Sequence, residues 1–239
     1  NSHIKTPNID ALAEHGIRFT DFHSTSALCT PSRYGLLTGR YNWRSTLKRG
    51  VLAGASEPLI EEGRSTLATL FKKNGYFTAA VGKWHLGLGW ERKEADLDHY
   101  GGPYDIREKC ADPMKARQIL DGFNIDFEQP LKVSPNDYGF DYFYGTSASL
   151  DQPPYVYIEN RMTQGIPDTV SGITPLDRHS AKDQDKWQFG PAIKGYDHER
   201  VIGDMHDKVL SLICEHKEEP FFIYYPIHAV HGPILPPEG

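Results

Sequence analysis

The sequence predicts an α/β fold: a mostly parallel sheet flanked by helices, with a loop-rich insertion over residues 88–196. Three observations carry this. Stretches with helical apolar spacing alternate with short apolar runs, the pattern of βαβ units. The run Phe221-Phe222-Ile223-Tyr224-Tyr225 is continuously apolar, as expected of a strand covered on both faces. Residues 88–196 are rich in Gly, Pro, Asp and Tyr and hold few long periodic stretches, so they read as loops and short elements decorating a core. In such sheets the chemistry sits at the carboxyl ends of the strands.

The elements follow in order. Residues 6–16 read as a short helix, with Thr6 as cap, Pro7 in the first turn, Ile9, Leu12 and Ala13 as its apolar face, and Gly16 as a left-handed stop. Residues 17–22 are expected to be a strand. A second helix is expected over 31–38, capped by Thr30 and closed by Gly39. A third begins near Ser65 or Thr66, turns Leu67, Leu70 and Phe71 to one side, and ends at Gly75. A buried strand follows over 76–81. The last helix is expected over 197–217, with Val201, Met205, Val209, Leu212 and Ile213 on one face.

Composition excludes several classes. Of 239 residues, 38% are hydrophobic and 24% charged, which is globular and not disordered. Lys+Arg 26 against Asp+Glu 32 gives a net charge of −6, without the clustered basic charge a nucleic-acid binder needs. No apolar run approaches the roughly 20 residues of a membrane span. The three cysteines, Cys29, Cys110 and Cys214, form no CxxC pair, which argues against a zinc knuckle or a disulfide scaffold. The chain opens on Asn1-Ser2-His3 and closes on Pro236-Pro237-Glu238-Gly239; both ends read as cut, so the lack of a leader says nothing about export.

The densest chemical signal is Cys29-Thr30-Pro31-Ser32-Arg33-Tyr34-Gly35-Leu36-Leu37-Thr38-Gly39-Arg40. Cys29 lies at a helix amino terminus, where free N–H groups and the positive end of the dipole favour an anion. Arg33 lies one turn in and can return toward it. The plain alternative is a buried cysteine before an ordinary helix. Further along, Gly75-Tyr76-Phe77-Thr78-Ala79-Ala80-Val81-Gly82-Lys83-Trp84-His85-Leu86-Gly87 places Lys83 and His85 at a strand exit, with Gly82 allowing the turn and Trp84 facing away into packing. A third segment, Pro220-Phe221-Phe222-Ile223-Tyr224-Tyr225-Pro226-Ile227-His228-Ala229-Val230-His231-Gly232-Pro233, ends a strand in two histidines. These can suggest a metal pair; the preferred reading puts His231 in the pocket with His228 as support.

The Cys-x-Pro-x-Arg and Leu-Thr-Gly-Arg string resembles the signature of the type I, formylglycine-dependent sulfatases of the alkaline phosphatase superfamily. The second and third segments are similar to that family's later motifs, in the same order and across essentially the whole chain. The resemblance implies an alkaline-phosphatase-like fold, with residues 1–239 as part of one catalytic domain. It also implies that separate machinery oxidises Cys29 to formylglycine, whose hydrate supplies one oxygen to attack sulfur and a second hydroxyl to expel sulfate afterwards. By the same resemblance Arg33 holds the diol, Lys83 binds sulfate oxygens, His85 assists the second step, and His231 stands at the leaving-group oxygen. Ser149, in Phe143-Tyr144-Gly145-Thr146-Ser147-Ala148-Ser149-Leu150-Asp151, resembles a sulfate-contacting serine of some arylsulfatases.

The family also binds one divalent cation, usually calcium, through oxygen ligands. Cys29, as formylglycine, would be one ligand; the paired aspartate and the Asp-Asn pair of the family are expected outside this chain, as is a second sulfate-binding lysine. These 239 residues alone are therefore expected to bind calcium poorly and to release little sulfate. The expected substrate is a sulfated carbohydrate, including glycosaminoglycans, or an aryl sulfate. A bacterial origin fits the absence of an Asn-x-Ser/Thr sequon, and the expected location is periplasmic or secreted. Two alternatives stand beside this: a phosphate or phosphonate monoester hydrolase of the same superfamily, and a binder of sulfated glycans that cleaves nothing. Trp90, Tyr144 and Tyr155 can stack on sugar rings or serve packing.

Overall fold

The computed structural model describes residues 5–100, 102, 104–172 and 188–232. Pro233, which closes the third motif, lies outside the described residues. Their elements are α1 (Pro7–His15), α2 (Cys29–Thr38), α3 (Leu67–Lys73), β1 (Phe77–Lys83), α4 (Ile106–Lys109), α5 (Pro113–Phe123), β2 (Tyr142–Thr146), β3 (Ile158–Glu159), β4 (Met162–Thr163), β5 (Thr169–Ser171), β6 (Gly190–Ala192), α6 (Val201–His216) and β7 (Phe221–Tyr224). The main sheet runs β4-β3-β2-β1-β7. Its heart is parallel: β1 pairs with β7 from Phe77↔Phe221 to Ala80↔Tyr224, and with β2 from Ala79↔Tyr142 to Lys83↔Thr146. β3 and β4 continue it antiparallel, so the sheet is mixed at that edge. β5 and β6 form a separate antiparallel pair.

Period-two alternation along β1 sends its side chains to two different cores. Ala79 and Val81 pack with Ile223 and Tyr225 against Val201, Met205, Val209 and Leu212 of α6. Ala80 faces the other way, into the larger core with Tyr34 and Leu37 of α2, Ala68 of α3, Trp84, Phe140 and Phe143. Phe71 of α3 stacks on Phe222 of β7 at 4.3 Å. The start of α3 is fixed by a reciprocal cap: the Thr69 amide donates to Thr66 Oγ1 (3.1 Å) and the Thr66 amide to Thr69 Oγ1 (2.8 Å). Gly39 closes α2 at φ 66 in the left-handed region, as its position in the sequence implies.

Several expectations are corrected. Residues 17–22 are irregular and exposed, Ile17 by 81% and Phe19 by 73%; their β-propensity meets no partner strand among the described residues. Helix α1 forms, but it buries no residue, Thr6 donates to Asp10 Oδ1 instead of capping the backbone, and Gly16 sits at φ −128 and not in a left-handed stop. Helix α2 begins at Cys29 after Leu28, so Thr30 lies inside it and uses its hydroxyl elsewhere. The face of α6 is as expected except at Ile213, which is exposed. β7 is half-buried: both faces are packed, but among the described residues only β1 pairs with it. The stretch 88–196 is more than decoration, since it supplies β2 to the centre of the main sheet and the amphipathic α5. The run Tyr142-Phe143-Tyr144-Gly145-Thr146 does not read as a strand from sequence, because it is brief and carries a glycine.

Candidate active site

The carboxyl ends of β1, β2 and β7 and the amino terminus of α2 meet at one place. α2 delivers Cys29 at its first position, where amides lacking a helical partner concentrate positive charge. One turn on, Arg33 donates from Nη1 to the Lys83 carbonyl at 2.6 Å, fastening α2 to the end of β1. Lys83 is 2% exposed. Burial pushes its pKa down to about 8; the neighbouring Cys29 and Asp151 oppose this, Arg33 adds to it, and Lys83 shares a side-chain hydrogen bond with Cys29. The strand can end this way because residue 82 is glycine: it sits at φ +125, and a Cβ there would lie 2.7 Å from the Pro226 carbonyl. That carbonyl accepts the Lys83 amide at 3.0 Å. Trp84 turns into the core and donates to Gly87 O, the packing role expected of it.

His85 is 1% exposed, and its Nε2 lies 2.6 Å from the Leu52 carbonyl. A carbonyl only accepts, so Nε2 carries the hydrogen and Nδ1 is a bare lone pair. Nδ1 has no partner. Burial, with Lys83 next, pushes the ring's pKa down to about 3, so it stays neutral. Thr30 holds this corner together: its hydroxyl donates to the His85 carbonyl (3.0 Å) and accepts the Leu52 amide (3.2 Å). The Cys29 helix, His85 and the Leu52 loop are thereby tied at one oxygen.

His228 repeats the arrangement. Its Nε2 lies 2.8 Å from Thr146 Oγ1, and that hydroxyl gives its own proton to Ala148 O, so it accepts from the ring. Nδ1 again is buried, bare and without a partner, and burial followed by Lys83 and Arg33 pushes the pKa to about 3. His231 stands at the rim, exposed. Its Nδ1 lies 2.6 Å from Gly232 O and 3.8 Å from Asp151 Oδ1. Ser149 is buried with an unpartnered Oγ, as is Ser147, whose carbonyl accepts the His85 amide.

The structure thus brings Cys29, Arg33, Lys83 and His85 close to one another, with His231 beside them and Ser149 on the adjoining loop. Thr146 and Ser147 were not singled out from sequence; their place just past a parallel strand end was the available signal. Buried polar atoms without partners cost about 1–3 kcal/mol each. Here Arg33 Nε, His85 Nδ1, Ser147 Oγ, Ser149 Oγ and His228 Nδ1 gather along these strand ends, a mixed set of donors and acceptors suited to an oxyanion that carries a hydroxyl. Among the described residues no group of three or more His, Cys, Asp or Glu can hold a metal ion, so the residues present do not by themselves fit calcium. Trp90 (4% exposed) and Tyr155 (1%) are buried, and Tyr144 stacks on Tyr157 at 5.6 Å, so the three serve packing and not sugar stacking. A groove of about 660 Å3 opens beyond Arg33 between Phe22, Leu36, Tyr224 and Ile227; its mostly apolar walls do not suit an anion.

The fold is that of an alkaline-phosphatase-like α/β scaffold, with Cys29, Arg33, Lys83 and His85 grouped at its strand ends. The sulfatase family model matches residues 1–238, and the chain belongs to the sulfatase family. It is 32% identical to an N-acetylgalactosamine-6-O-sulfatase of Bacteroides thetaiotaomicron, over 98% of this chain and 45% of that protein. It is also 32% identical to arylsulfatase A of Bos taurus, over 95% of this chain and 37% of that protein. A solved structure from work on the metabolism of multiple glycosaminoglycans by Bacteroides thetaiotaomicron superposes with a TM-score of 0.70 at 29% identity, covering 97% of this chain and 47% of that one. The PsFucS1 sulfatase of Pseudoalteromonas shares the fold at 22% identity, with a TM-score of 0.55, covering 97% of this chain and 40% of that one. The chain spans less than half the length of these relatives.

Proposed function

We propose that this chain carries the nucleophile and sulfate-binding part of an enzyme that hydrolyses sulfate monoesters of carbohydrates, with glycosaminoglycan sulfates as the substrate class. The grouping of Cys29, Arg33, Lys83 and His85 at the strand ends carries the reading. The similarity to an N-acetylgalactosamine-6-O-sulfatase supports the substrate class.

Cys29, converted to formylglycine by dedicated machinery, supplies an aldehyde hydrate whose two hydroxyls serve attack on sulfur and release of sulfate. The chain's own residues prepare for this. Lys83, short of its usual basicity yet still cationic near neutral pH, lies against the Cys29 side chain, where it offsets charge gathering on sulfate oxygens. Arg33, anchored to Lys83 O through Nη1, keeps Nε free to hold an oxygen. His85 presents a neutral Nδ1 that can accept a hydrogen bond from a hydroxyl and so orient it, which a protonated ring could not do. Ser149 adds a hydroxyl to the sulfate, and His231 serves the departing alcohol. No step is assigned to calcium; the oxygen ligands it needs belong, on this reading, to other residues of the protein, with the residue-29 side chain as one. We place residues 1–239 in a single catalytic domain, with 88–196 on its substrate side, in a protein working in the periplasm or outside the cell.

A peptide mass spectrum covering residue 29, on protein from its source, tests the first link. Aldehyde in place of thiol is expected; an unmodified thiol would leave only an anion-binding pocket. Sulfate release from sulfated N-acetylgalactosamine tests the second, and turnover of phosphate monoesters in preference would overturn it.

A further inference from the structure

We propose that Asp151 is a positioning residue for His231, turning that ring so that Nε2 is the atom that serves the leaving oxygen. The inference rests on the sulfatase reading and deepens it. His231 Nδ1 lies 2.6 Å from the Gly232 carbonyl, which can only accept, so Nδ1 carries a hydrogen. The Asp151 carboxylate faces the same nitrogen at 3.8 Å. With the Nδ1 edge held toward a carbonyl and a carboxylate, Nε2 is left as the working atom. The ring is close enough to act electrostatically on both His85 and His228.

The carboxylate is itself built in. The Asp151 carbonyl accepts the Tyr155 hydroxyl at 3.0 Å and the Gln188 amide at 2.8 Å, and Gln188 Nε2 donates to Oδ2 at 3.4 Å. Oδ1 is buried, has no hydrogen-bond partner among the described residues, and lies 3.8 Å from His231 Nδ1. The backbone of His231 is fixed from the other side, its amide donating to the His228 carbonyl at 3.1 Å, while the His228 ring is tied to Thr146. Among the described residues the titratable groups that face the ring are Asp151, His85 and His228, and Asp151 is the carboxylate among them.

The step this serves is simple. As the incoming oxygen bonds to sulfur, the S–O bond to the alcohol breaks, its electron pair stays on the alcohol oxygen, and that oxygen takes a proton from Nε2. A neutral imidazole remains, its hydrogen on Nδ1 facing Asp151. An alkoxide leaving from a sugar needs this proton; a nitrophenolate does not.

The experiment compares Asp151→Asn and Asp151→Glu with the wild-type enzyme on a sulfated sugar and on 4-nitrophenyl sulfate. Asp151→Asn is expected to lower kcat on the sugar ester by about tenfold or more while changing the nitrophenyl ester by about twofold at most, with Asp151→Glu recovering part of the loss. Equal losses on both esters, or none, would overturn the proposal. All three are prepared as the full-length protein, and were its wild type to cleave neither ester, the sulfatase reading itself would fail. The 15N imidazole shifts of His231 then decide the positioning role separately: a hydrogen on Nδ1 in the wild type that moves in Asp151→Asn supports it, and an unchanged ring overturns it.

Discussion

His85 and His228 each use Nε2–H to satisfy a buried oxygen and leave Nδ1 bare, and each is kept from protonating down to about pH 3. The unfolded chain has no such constraint, and its histidines titrate near 6.5. Between those values the unfolded state binds protons that the folded state refuses. Stability therefore falls as pH falls through this window, by up to about 1.4 kcal/mol per pH unit for each ring. Denaturant unfolding across pH 4 to 7 should give that slope, and His228→Asn should reduce it; a slope unchanged in the variant would show that the ring is not the group responsible. Lys83 illustrates the opposite balance of function against stability. Its ammonium is buried at a cost visible in its lowered pKa, so Lys83→Met should retain or raise the Tm while sulfate release drops about 100-fold or more. A large loss of Tm would make Lys83 a structural residue. Cys29, Arg33, Lys83 and His85 were legible in the sequence because the motifs that carry them resemble a known family's; their spacing puts each pair on one short element, but by itself it would have left both pairs with ordinary structural readings. The tautomer of His228 was not, since it depends on Thr146, which lies far away along the chain and meets it only in the folded sheet.

Elements whose local chemistry agrees with their surroundings were equally legible. Helix α3 announces itself through Thr66, Leu67, Leu70 and Phe71, and the reciprocal Thr66–Thr69 cap accounts for its start. Thr66 also donates to the Tyr138 carbonyl, so Thr66→Ala should destabilise the protein by at least about 1 kcal/mol, read as a lower denaturant midpoint with unchanged m-value. Residues 17–22 teach the converse. Their β-branched and aromatic side chains suit a strand, but a strand exists only where another offers its edge. The central strand β2 was missed for a related reason: Gly145 weakens its pattern, yet glycine is required there, because a Cβ would collide with the Gly82 carbonyl of β1. Gly145→Ala is accordingly expected to push β2 from β1 and abolish sulfate release. A variant of normal activity would mean that the two strands have slack the structure does not show.

At the scale of the whole molecule, the strands β1 and β7 and the helical layers on either side of them followed from the alternation of apolar runs and helices, whereas β2 and the antiparallel β3–β4 extension did not, the last two strands being two residues each. The surface is uneven. Ile9, Leu12, Ile17, Phe19, Phe22 and Val230 are more than 60% exposed, and the unpaired side of β7 lies within the described residues. Unpaired strand edges and apolar patches promote association. The 239-residue chain on its own is expected to self-associate as concentration rises, and sedimentation showing a monomer throughout would contradict this.

The parallel pairing of β1 with β7 also has a consequence for how the protein comes to be active. Parallel neighbours cannot be joined by a tight turn, and here most of the chain intervenes between residues 77–80 and 221–224. Closing so long a loop is entropically expensive and slow compared with forming any of the helices. Helix α2 can wind early, but Lys83, Thr146 and His228 meet only when all three strands are in register. Catalytic competence is therefore a late event in folding, and enzyme activity during refolding should lag behind the recovery of helical signal.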